Sequence, residues 1–263
     1  MAQVVDYSYG RVGGTNISHA RAVAEAGFVG AIRYLCWPDG SIKQITRAEL
    51  EALWAFNLSV GFVWETTADR ASRGFAAGHA DAVEANHQMS ALGVPGHVPI
   101  YYAVDFDARP EQVRSYFEGA LSVASGAPVG VYGSYRVIEG LADLTDWLWQ
   151  CAAWSGNGSG TGGSIQGRRL SEHAVLFQRV GYVLGETCDV NDVLAPEWGG
   201  YHPGQEEEVV ALTLGELQKE LVNQDTRTKA ALEAMFAKQL EDIQAEFVHQ
   251  DTRTKAYLET KLP

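Results

Sequence analysis

The stretch Val98-Pro-Ile-Tyr-Tyr-Ala-Val-Asp-Phe-Asp107 alternates between two kinds of side chain and ends in two acids. In a β-strand, alternate side chains lie on opposite faces. One face would carry Ile100, Tyr102, Val104 and Phe106, and the other Tyr101, Ala103, Asp105 and Asp107. With a rise of about 3.3 Å per residue, the two acids would lie about 6–7 Å apart along the backbone. This pattern is typical of a barrel strand that carries acids to a site. The alternative is that the acids solvate the strand end or cap a helix beginning near Pro110.

Similar short apolar or alternating runs recur along the first 200 residues. They cover residues 4–9, 31–36, 60–65, 129–132, 148–154, 174–180 and 188–193. Between most of them lie helical patterns at residues 16–26, 46–56, 75–92 and 110–124, the second opening with Thr46 and Glu49 at capping-box spacing. Strands alternating with helices predict right-handed βαβ units and a parallel sheet.

The predicted fold class is therefore α/β, and about eight strands indicate a compact (β/α)₈ TIM-like barrel over residues 1–200. Its later helices are abbreviated, because the glycine-rich stretch at 156–163 takes the place of a sixth helix. An open doubly wound sheet is the competing architecture.

The C-terminal part of the chain differs in composition and repeats itself. After a linker at residues 201–208, residues 209–263 are charged and helical in pattern, and residues 224–230 recur as 250–256, an offset of 26 residues. An interrupted apolar stripe along this tail favours a long helix or coiled coil that makes the chain a homo-oligomer. The alternative is a solvated helical tail folded back on the barrel.

Composition and charge exclude several classes of function. The chain has 263 residues, 46% of them hydrophobic, and a net charge of −13. Such a charge argues against nucleic acid or an anionic membrane surface as partner but leaves an uncharged polymer such as a glycan open. We expect no membrane span and no signal peptide, because neither a long apolar run nor a basic leader is visible.

The sequence shows no cofactor or metal motif. The three cysteines, Cys36, Cys151 and Cys188, fall in predicted strands and indicate buried reduced thiols rather than disulfides. The seven histidines lack metal-ligand spacing, and the glycine-rich stretch lacks the lysine of a phosphate loop. We therefore expect no cofactor and no metal.

Polar and aromatic residues stand at most of the predicted strand ends, on the face opposite the bulky apolar residues. In the third strand, for example, Gly61, Val63 and Glu65 face inward. Catalysis in a barrel of this kind belongs at those ends. The candidate catalytic residues are Asp6, Glu65, Asp105 and Asp107. The candidate substrate-binding residues are Tyr34, Tyr132, Gln150, Trp154, Gln178 and Asp189.

Acids with aromatic and amide side chains suit glycan chemistry. The acids supply a proton and stabilise charge, while clustering raises the pKa of at least one of them. For several residues a structural role is the alternative: core packing for Tyr34 and Trp154, backbone hydrogen bonds for Gln178, and capping of the chain's exit for Asp192.

Five segments together resemble a known family. They are Val4-Val-Asp-Tyr-Ser8, Ala103-Val-Asp-Phe-Asp107, Val131-Tyr-Gly-Ser134, Trp149-Gln-Cys-Ala-Ala-Trp154 and Cys188-Asp-Val-Asn-Asp192. In order and spacing they are similar to the glycoside hydrolase-like TIM-barrel domain of bacterial and phage proteins, a relative of the glycoside hydrolase family 25 lysozymes. The resemblance covers about residues 1–200.

The resemblance implies a cleft that acts on the bond between N-acetylmuramic acid and N-acetylglucosamine in peptidoglycan. It places the general acid at Asp107 and further acids at Asp105, Asp6 and Asp189. The family 25 lysozymes have glutamate where Asp107 stands, and aspartate is one methylene shorter, so Glu65 is the alternative proton donor.

Two hypotheses follow from the sequence. The first is a phage-encoded peptidoglycan glycosidase, a lysin or virion-associated wall hydrolase that passes from the host cytoplasm to the cell wall or travels in the virion. The second is a catalytically inactive glycan-binding barrel on an oligomeric phage tail protein.

Overall fold

The computed structural model describes residues 1–8, 12–37, 41–124, 126–154, 169–185 and 188–204, with residues 237, 238 and 241. The chain divides into two compact units, Met1–Pro203 and Gly204–Pro263. The repeated segments of the predicted tail and the glycine-rich stretch at 156–163 lie outside the described residues.

Eight strands of the described chain form a closed barrel in sequence order. The strands are β1 (Gln3–Asp6), β2 (Gly30–Leu35), β3 (Ser59–Trp64), β4 (Ile100–Ala103), β5 (Val129–Gly133), β6 (Leu148–Cys151), β7 (Leu176–Val183) and β8 (Cys188–Val193). The helices are α1 (Asn16–Glu25), α2 (Arg47–Ala55), α3 (Phe75–Ala91), α4 (Pro110–Leu121) and α5 (Tyr135–Leu141), with 3₁₀ turns at Val12–Gly14 and Arg70–Arg73. The closed barrel confirms the mixed α/β barrel and excludes the open sheet.

The direction of the last strand corrects the expected all-parallel sheet. Strands β1 to β7 run parallel to one another, whereas β8 is antiparallel to both of its neighbours, β7 and β1. Only four residues separate Val183 from Cys188, and a parallel crossover needs a dozen or more. The short connection therefore forces β8 to return antiparallel.

Two apolar layers surround the strands. Most buried apolar side chains lie between the strands and the helices. A second cluster fills the barrel interior, with Val4, Ile32, Val63, Tyr101, Tyr132, Trp149, Cys151, Leu176 and Trp198 among its members. Trp198 seals the end at which the parallel strands begin, and its backbone carbonyl accepts a hydrogen bond from the Tyr101 hydroxyl at 2.7 Å. The opposite end, where β1 to β7 finish, is the barrel mouth.

A buried ion pair joins β2 to α2. Arg33, fully buried, donates from Nε to Glu49 Oε1 at 2.7 Å, and the Tyr7 hydroxyl donates to the same oxygen at 2.9 Å. Thr46 caps α2 as its position predicts, accepting from the backbone amide of Glu49. The Glu49 side chain, however, points inward to Arg33, so the residue serves the core as well as the helix start.

The three cysteines are buried and form no disulfide, as their positions predict. Among the described residues, no helix is long and apolar enough to cross a membrane.

Helices α3 and α4 pack at a glycine contact. A Cβ atom on Gly78 would lie 1.8 Å from the Tyr116 carbonyl oxygen, and one on Gly119 would lie 2.1 Å from that of Phe75. Backbone atoms cannot move aside as flexible side chains do, so both positions require glycine. This close approach draws α3, and the loop before it, against α4.

We expect Gly78→Ala to destabilise the barrel by at least about 2 kcal/mol, because the added methyl group forces two helices apart. In an open helix the same change stabilises by up to about 1 kcal/mol. Urea denaturation measures the difference. Gly96→Ala is the matched control, since its Cβ would meet nothing within 4 Å. A Gly78→Ala protein as stable as wild type would show that the helices pack differently.

Candidate active site

Four carboxyl groups meet at the barrel mouth and are named here the acid cluster: Asp6, Glu65, Asp105 and Asp189. Asp6 ends β1, Glu65 directly follows β3, and Asp105 lies two residues beyond β4. Asp189 stands near the start of β8, not at its end, and the antiparallel course of β8 places it opposite Asp6 in the sheet. The prediction that Asp189 lies at the barrel mouth agrees with the structure, but Asp189 is near the start of β8 and not at its end.

Asp6 is the centre of a hydrogen-bond network. Its side chain is 2% exposed, and Oδ2 accepts from Gln178 Nε2 at 2.9 Å and from Asn191 Nδ2 at 2.7 Å. The oxygen of the Gln178 amide accepts from the Tyr132 hydroxyl at 2.6 Å, and that of Asn191 accepts from Trp149 Nε1 at 2.8 Å. An indole nitrogen can only donate, so it fixes the orientation of the Asn191 amide and aims its NH₂ group at Asp6.

The network decides between the two interpretations of Gln178. This residue hydrogen-bonds to side chains of the site and not to the buried backbone. Asn191 was not among the predicted site residues, because an Asn next to a strand end carries no chemical signature by itself. Its role is visible only once β8 is known to run beside β1.

Burial and mutual repulsion raise the pKa values of the acid cluster. The pKa of Asp6 is raised, chiefly by burial and further by the charge of Glu65, although the two amide hydrogen bonds oppose the shift. The pKa of Asp105 is raised to about 6 by burial and by the charges of Glu65 and Asp6. The pKa of Asp189 is raised to about 7 by burial and by Asp6. The pKa values of two carboxyl groups at the mouth are thus raised to about 6 and about 7.

Tyr34 and Tyr132 face the same charges. Burial is the main cause that raises the pKa of each hydroxyl well above 10, and the charges of Asp6 and Asp105 add to it. Both tyrosines therefore stay protonated and can donate hydrogen bonds at the mouth.

Lys43 supplies a positive charge that sequence reasoning missed. Its Nζ donates to Glu65 Oε1 at 3.1 Å and lies 5.5 Å from the centre of the Tyr34 ring. The Glu65 side chain is 14% exposed and the Lys43 side chain 38%, so the ion pair lies at the edge of the mouth. Lys43 lies in a loop after β2, where neither periodicity nor spacing gives a signal.

The buried Arg33 holds the loop that carries Lys43. Its Nη2 donates to the Lys43 backbone carbonyl at 3.1 Å, while its Nε is bound to Glu49. The core ion pair is thus connected to the acid cluster through one residue.

Asp107 does not join the acid cluster. Strand β4 ends at Ala103, and the Asp105 amide turns to donate to the Ala68 carbonyl at 3.2 Å, so strand alternation does not extend to residue 107. The Asp107 side chain is 55% exposed and pairs with Arg136 Nη2 at 2.6 Å. The expectation that Asp105 and Asp107 share one strand face is therefore wrong.

Gln150 also lies away from the mouth. In β6, Trp149 and Cys151 belong to the interior cluster, so Gln150 points to the helix side, fully buried. Its amide donates to the Arg169 carbonyl and accepts from the Ser171 amide, each at 2.8 Å. Trp149 and Cys151, the apolar neighbours of Gln150, occupy the inward face of β6. The predicted contact of Gln150 with substrate is therefore wrong.

Trp154 completes the predicted site residues, and Asp192 is the residue expected to cap the chain's exit. Trp154 has a left-handed backbone with φ of 51° and packs, partly buried, against the interior cluster, which agrees with the packing alternative. Asp192 accepts from Gln3 Nε2 at 2.9 Å and from Arg179 Nε at 2.6 Å and so ties strand ends together. Within the described ranges, no group of three or more His, Cys, Asp or Glu side chains is arranged to hold a metal ion.

We expect Asp189→Asn to gain stability relative to wild type as the pH rises from about 4 to about 7.5. The folded-state pKa of Asp189, about 7, exceeds its ordinary value of 3.8. Between these values the folded chain keeps a proton that the unfolded chain has released, so wild-type stability falls as pH rises. Urea denaturation across this range measures the effect. A stability difference that stays constant with pH would contradict it.

Replacing Lys43 by methionine is expected to raise the pKa of Asp105 above its present value of about 6, because the ammonium group lowers it. Carboxyl carbon chemical shifts followed through a pH titration report this value directly. Arg47→Met is the control, since Arg47 pairs with Glu51 on the exposed side of α2. An unchanged Asp105 titration in Lys43→Met would refute the proposed coupling.

Comparison with known proteins agrees with this architecture. The family model of the Rv2525c-like, glycoside hydrolase-like domain matches residues 21–193. The Mycobacterium tuberculosis Tat-secreted protein Rv2525c, solved in complex with L-tartrate, is 26% identical, with a TM-score of 0.61 over 76% of this chain and 98% of that one. A search of curated proteins found no match.

Two more distant structures share the fold. A B. stearothermophilus protein is 17% identical, with a TM-score of 0.54 over 76% of this chain and all of that one (100%). The bacterial lysozyme from Streptomyces coelicolor is 12% identical, with a TM-score of 0.50 over 74% of this chain and 93% of that one. The matched model covers most of the barrel, and the chain belongs to the Rv2525c-like family of glycoside hydrolase-like domains.

Proposed function

We propose that this barrel is a peptidoglycan-directed glycoside hydrolase whose chemistry is carried by the acid cluster. The observation that supports it most is the combination of two carboxyl groups of raised pKa, Asp105 and Asp189, with an ion-paired Glu65 in one mouth. Glycosidic bond cleavage needs a protonated acid beside an ionised carboxylate. Family membership and the lysozyme-like fold point to the same reaction class.

In this mechanism Asp105 donates the proton to the leaving oxygen. Its pKa of about 6 lies near physiological pH, where a general acid works best. Asp105 and Asp107 both belong to the acid motif on which the resemblance rests. The resemblance gives the general-acid role to Asp107, but the Asp107 side chain forms an ion pair with Arg136 at the surface. The proton-donor role therefore moves from Asp107 to Asp105, with Asp189 as the second group able to hold a proton.

Glu65 is the charge-stabilising carboxylate in the same scheme. The Lys43 ammonium donates a hydrogen bond to its Oε1 at 3.1 Å. A negative group at the mouth stabilises the positive charge that develops on the sugar ring in the transition state. Asp6, fixed by Gln178 and Asn191, orients the substrate or a water.

One observation favours a second function, a glycan-binding barrel without turnover. Asp107 stands where the related family 25 lysozymes carry their glutamate general acid, and it lies outside the acid cluster. Under this alternative the mouth still binds glycan through its tyrosines, amides and acids. The phage origin and the oligomeric helical tail belong to the proposal under either function and rest on the sequence.

Mass spectrometry of soluble products from purified peptidoglycan tests the proposal. We expect new reducing-end muropeptides from wild type, and a loss of at least about 100-fold in Asp105→Asn, because general acid catalysis contributes about that much or more. Glu65→Gln should lose activity as well.

Asp107→Asn is the matched control, an acid-to-amide change two residues away at an exposed ion pair. It should retain most of the wild-type activity. Loss in Asp107→Asn with full activity in Asp105→Asn would reverse the assignment. No products from any protein, with wild type sedimenting on the wall material, would establish the binding function instead.

A further inference from the structure

The loop between β3 and α3 makes the backbone contact that holds Asp105 at the mouth. Strand β4 ends at Ala103, so Asp105 lies beyond the regular pairing of the sheet. The Val104 amide donates to the Tyr132 carbonyl of β5 at 2.9 Å, whereas the Asp105 amide donates to the Ala68 carbonyl, in the loop after β3, at 3.2 Å. The position of the Asp105 backbone therefore depends on this loop.

Arg70 fixes the part of the loop that contains Ala68. Its backbone amide donates to the Thr67 carbonyl at 3.1 Å and so closes a turn around Ala68 and Asp69. Its side chain reaches α3, where Nε and Nη2 donate to the two carboxylate oxygens of Asp81 at 2.8 and 2.7 Å. A two-bond contact of this kind fixes the orientation of the guanidinium group as well as its distance.

Asp81 is held in turn by the neighbouring helix. Its side chain is fully buried and accepts a hydrogen bond from the Tyr116 hydroxyl of α4 at 2.7 Å. Tyr116 belongs to the glycine contact between the two helices, since a Cβ atom on Gly78 would meet its carbonyl oxygen. The Arg70 guanidinium also lies 5.9 Å from the centre of the Trp37 ring, in the loop after β2. Arg70 thus connects its loop to α3 and to the neighbouring loop.

The ion pair of Arg70 and Asp81 is better suited to fixing a position than to adding stability. Removing two charges from water offsets much of their mutual attraction, and apolar side chains of similar volume often replace such a pair without loss of stability. The planar guanidinium fork, however, binds a carboxylate in one geometry, which an apolar contact does not impose. Neither residue belongs to the acid cluster, so an effect on its chemistry has to pass through the loop.

We propose that Asp81 and Arg70 are positioning residues for Asp105 and act through the Ala68 carbonyl. Asp81 fixes the side chain of Arg70, and Arg70 fixes the turn whose carbonyl holds the Asp105 amide. The Asp105 carboxyl is thereby directed at the acid cluster. This inference rests on the proposed function, because it names the residues that place the proton donor of that scheme.

Amide hydrogen exchange followed by NMR tests the proposal without turnover. Arg70→Lys keeps a positive charge opposite Asp81 and loses the planar two-bond contact. We expect the Asp105 amide to exchange at least about tenfold faster than in wild type, because its loop opens locally. The Val104 amide, which is bound to β5, should keep its rate. This neighbouring amide separates local loosening from a general loss of stability.

Titration of the Asp105 carboxyl gives a second readout in the same variant. Burial is the largest cause of the raised pKa of this group, about 6, and the charge of Glu65 adds to it. A carboxyl that is free to move toward solvent loses this burial, so its pKa should fall from about 6 toward the ordinary value of 3.8.

Arg114→Lys is the matched control for both measurements. Arg114 makes a similar two-bond contact, to Asp143 at 3.0 and 2.7 Å, but this pair joins α4 to the turn after α5. The control substitution removes the same planar fork at a pair that does not hold the loop of Ala68. Exchange of the Asp105 amide and titration of its carboxyl should both stay as in wild type.

The triple variant Arg70→Met/Asp81→Leu/Tyr116→Phe separates positioning from stability. It replaces three polar side chains by apolar ones of similar size and leaves no buried charge unpaired, so we expect it to fold. Exchange of the Asp105 amide should again accelerate relative to that of Val104. A purely structural pair would give the opposite pattern, a changed melting temperature with unchanged Asp105 exchange relative to Val104.

Unchanged exchange and titration of Asp105 in both variants, or equal acceleration of the Asp105 and Val104 amides, would overturn the positioning role. On purified peptidoglycan, Arg70→Lys should release muropeptides severalfold more slowly than Arg114→Lys. If wild type releases none, the proposed hydrolysis fails and the two NMR tests still decide the positioning role. If wild type is active and Asp105 is unaffected in the variants, the positioning role alone is lost.

Discussion

The carboxylate of Asp6 ties the first strand of the barrel to its last two. It accepts hydrogen bonds from Gln178 on β7 and Asn191 on β8, at the point where the barrel closes. The pKa values of the neighbouring acids Asp105 and Asp189 are raised chiefly by their own burial, and the charge of Asp6 adds to both shifts. One side chain therefore takes part both in closing the fold and in the electrostatics of the mouth.

A series of side-chain contacts connects the barrel mouth to the helix layer. Arg33 joins Glu49 of α2 to the loop of Lys43, and Lys43 reaches Glu65 at the mouth. The position of this cation is therefore fixed by the core. Lys43 is hydrogen-bonded to Glu65, and its charge also lowers the pKa of Asp105, against the larger effect of burial.

Much of the fold follows from the sequence, since period-two alternation directs Asp6, Glu65, Asp105 and Gln178 toward the barrel mouth, where the structure has them. Alternation fails where a strand ends early, as at Asp107, and it gives the wrong face for Gln150, whose neighbours Trp149 and Cys151 fill the barrel interior. The direction of β8 depends on the length of one turn.

Lys43 and Asn191 are two residues of the site that no local sequence pattern indicates. Lys43 reaches Glu65 from a loop held by a buried arginine, and Asn191 reaches Asp6 because β8 pairs with β1. Both contacts arise from tertiary pairing. Sequence reasoning identifies the acids of such a site more readily than the residues that set their charge.

The most direct test of the central claim, that the Asp6-centred mouth is the functional site, is a crystal structure with a bound glycan fragment of alternating N-acetylglucosamine and N-acetylmuramic acid. We expect the sugar to lie across the acid cluster, with a glycosidic oxygen within hydrogen-bond distance of Asp105 and no contact to Asp107. A fragment bound at the Asp107–Arg136 pair or on the helix layer, with the mouth empty, would contradict the account.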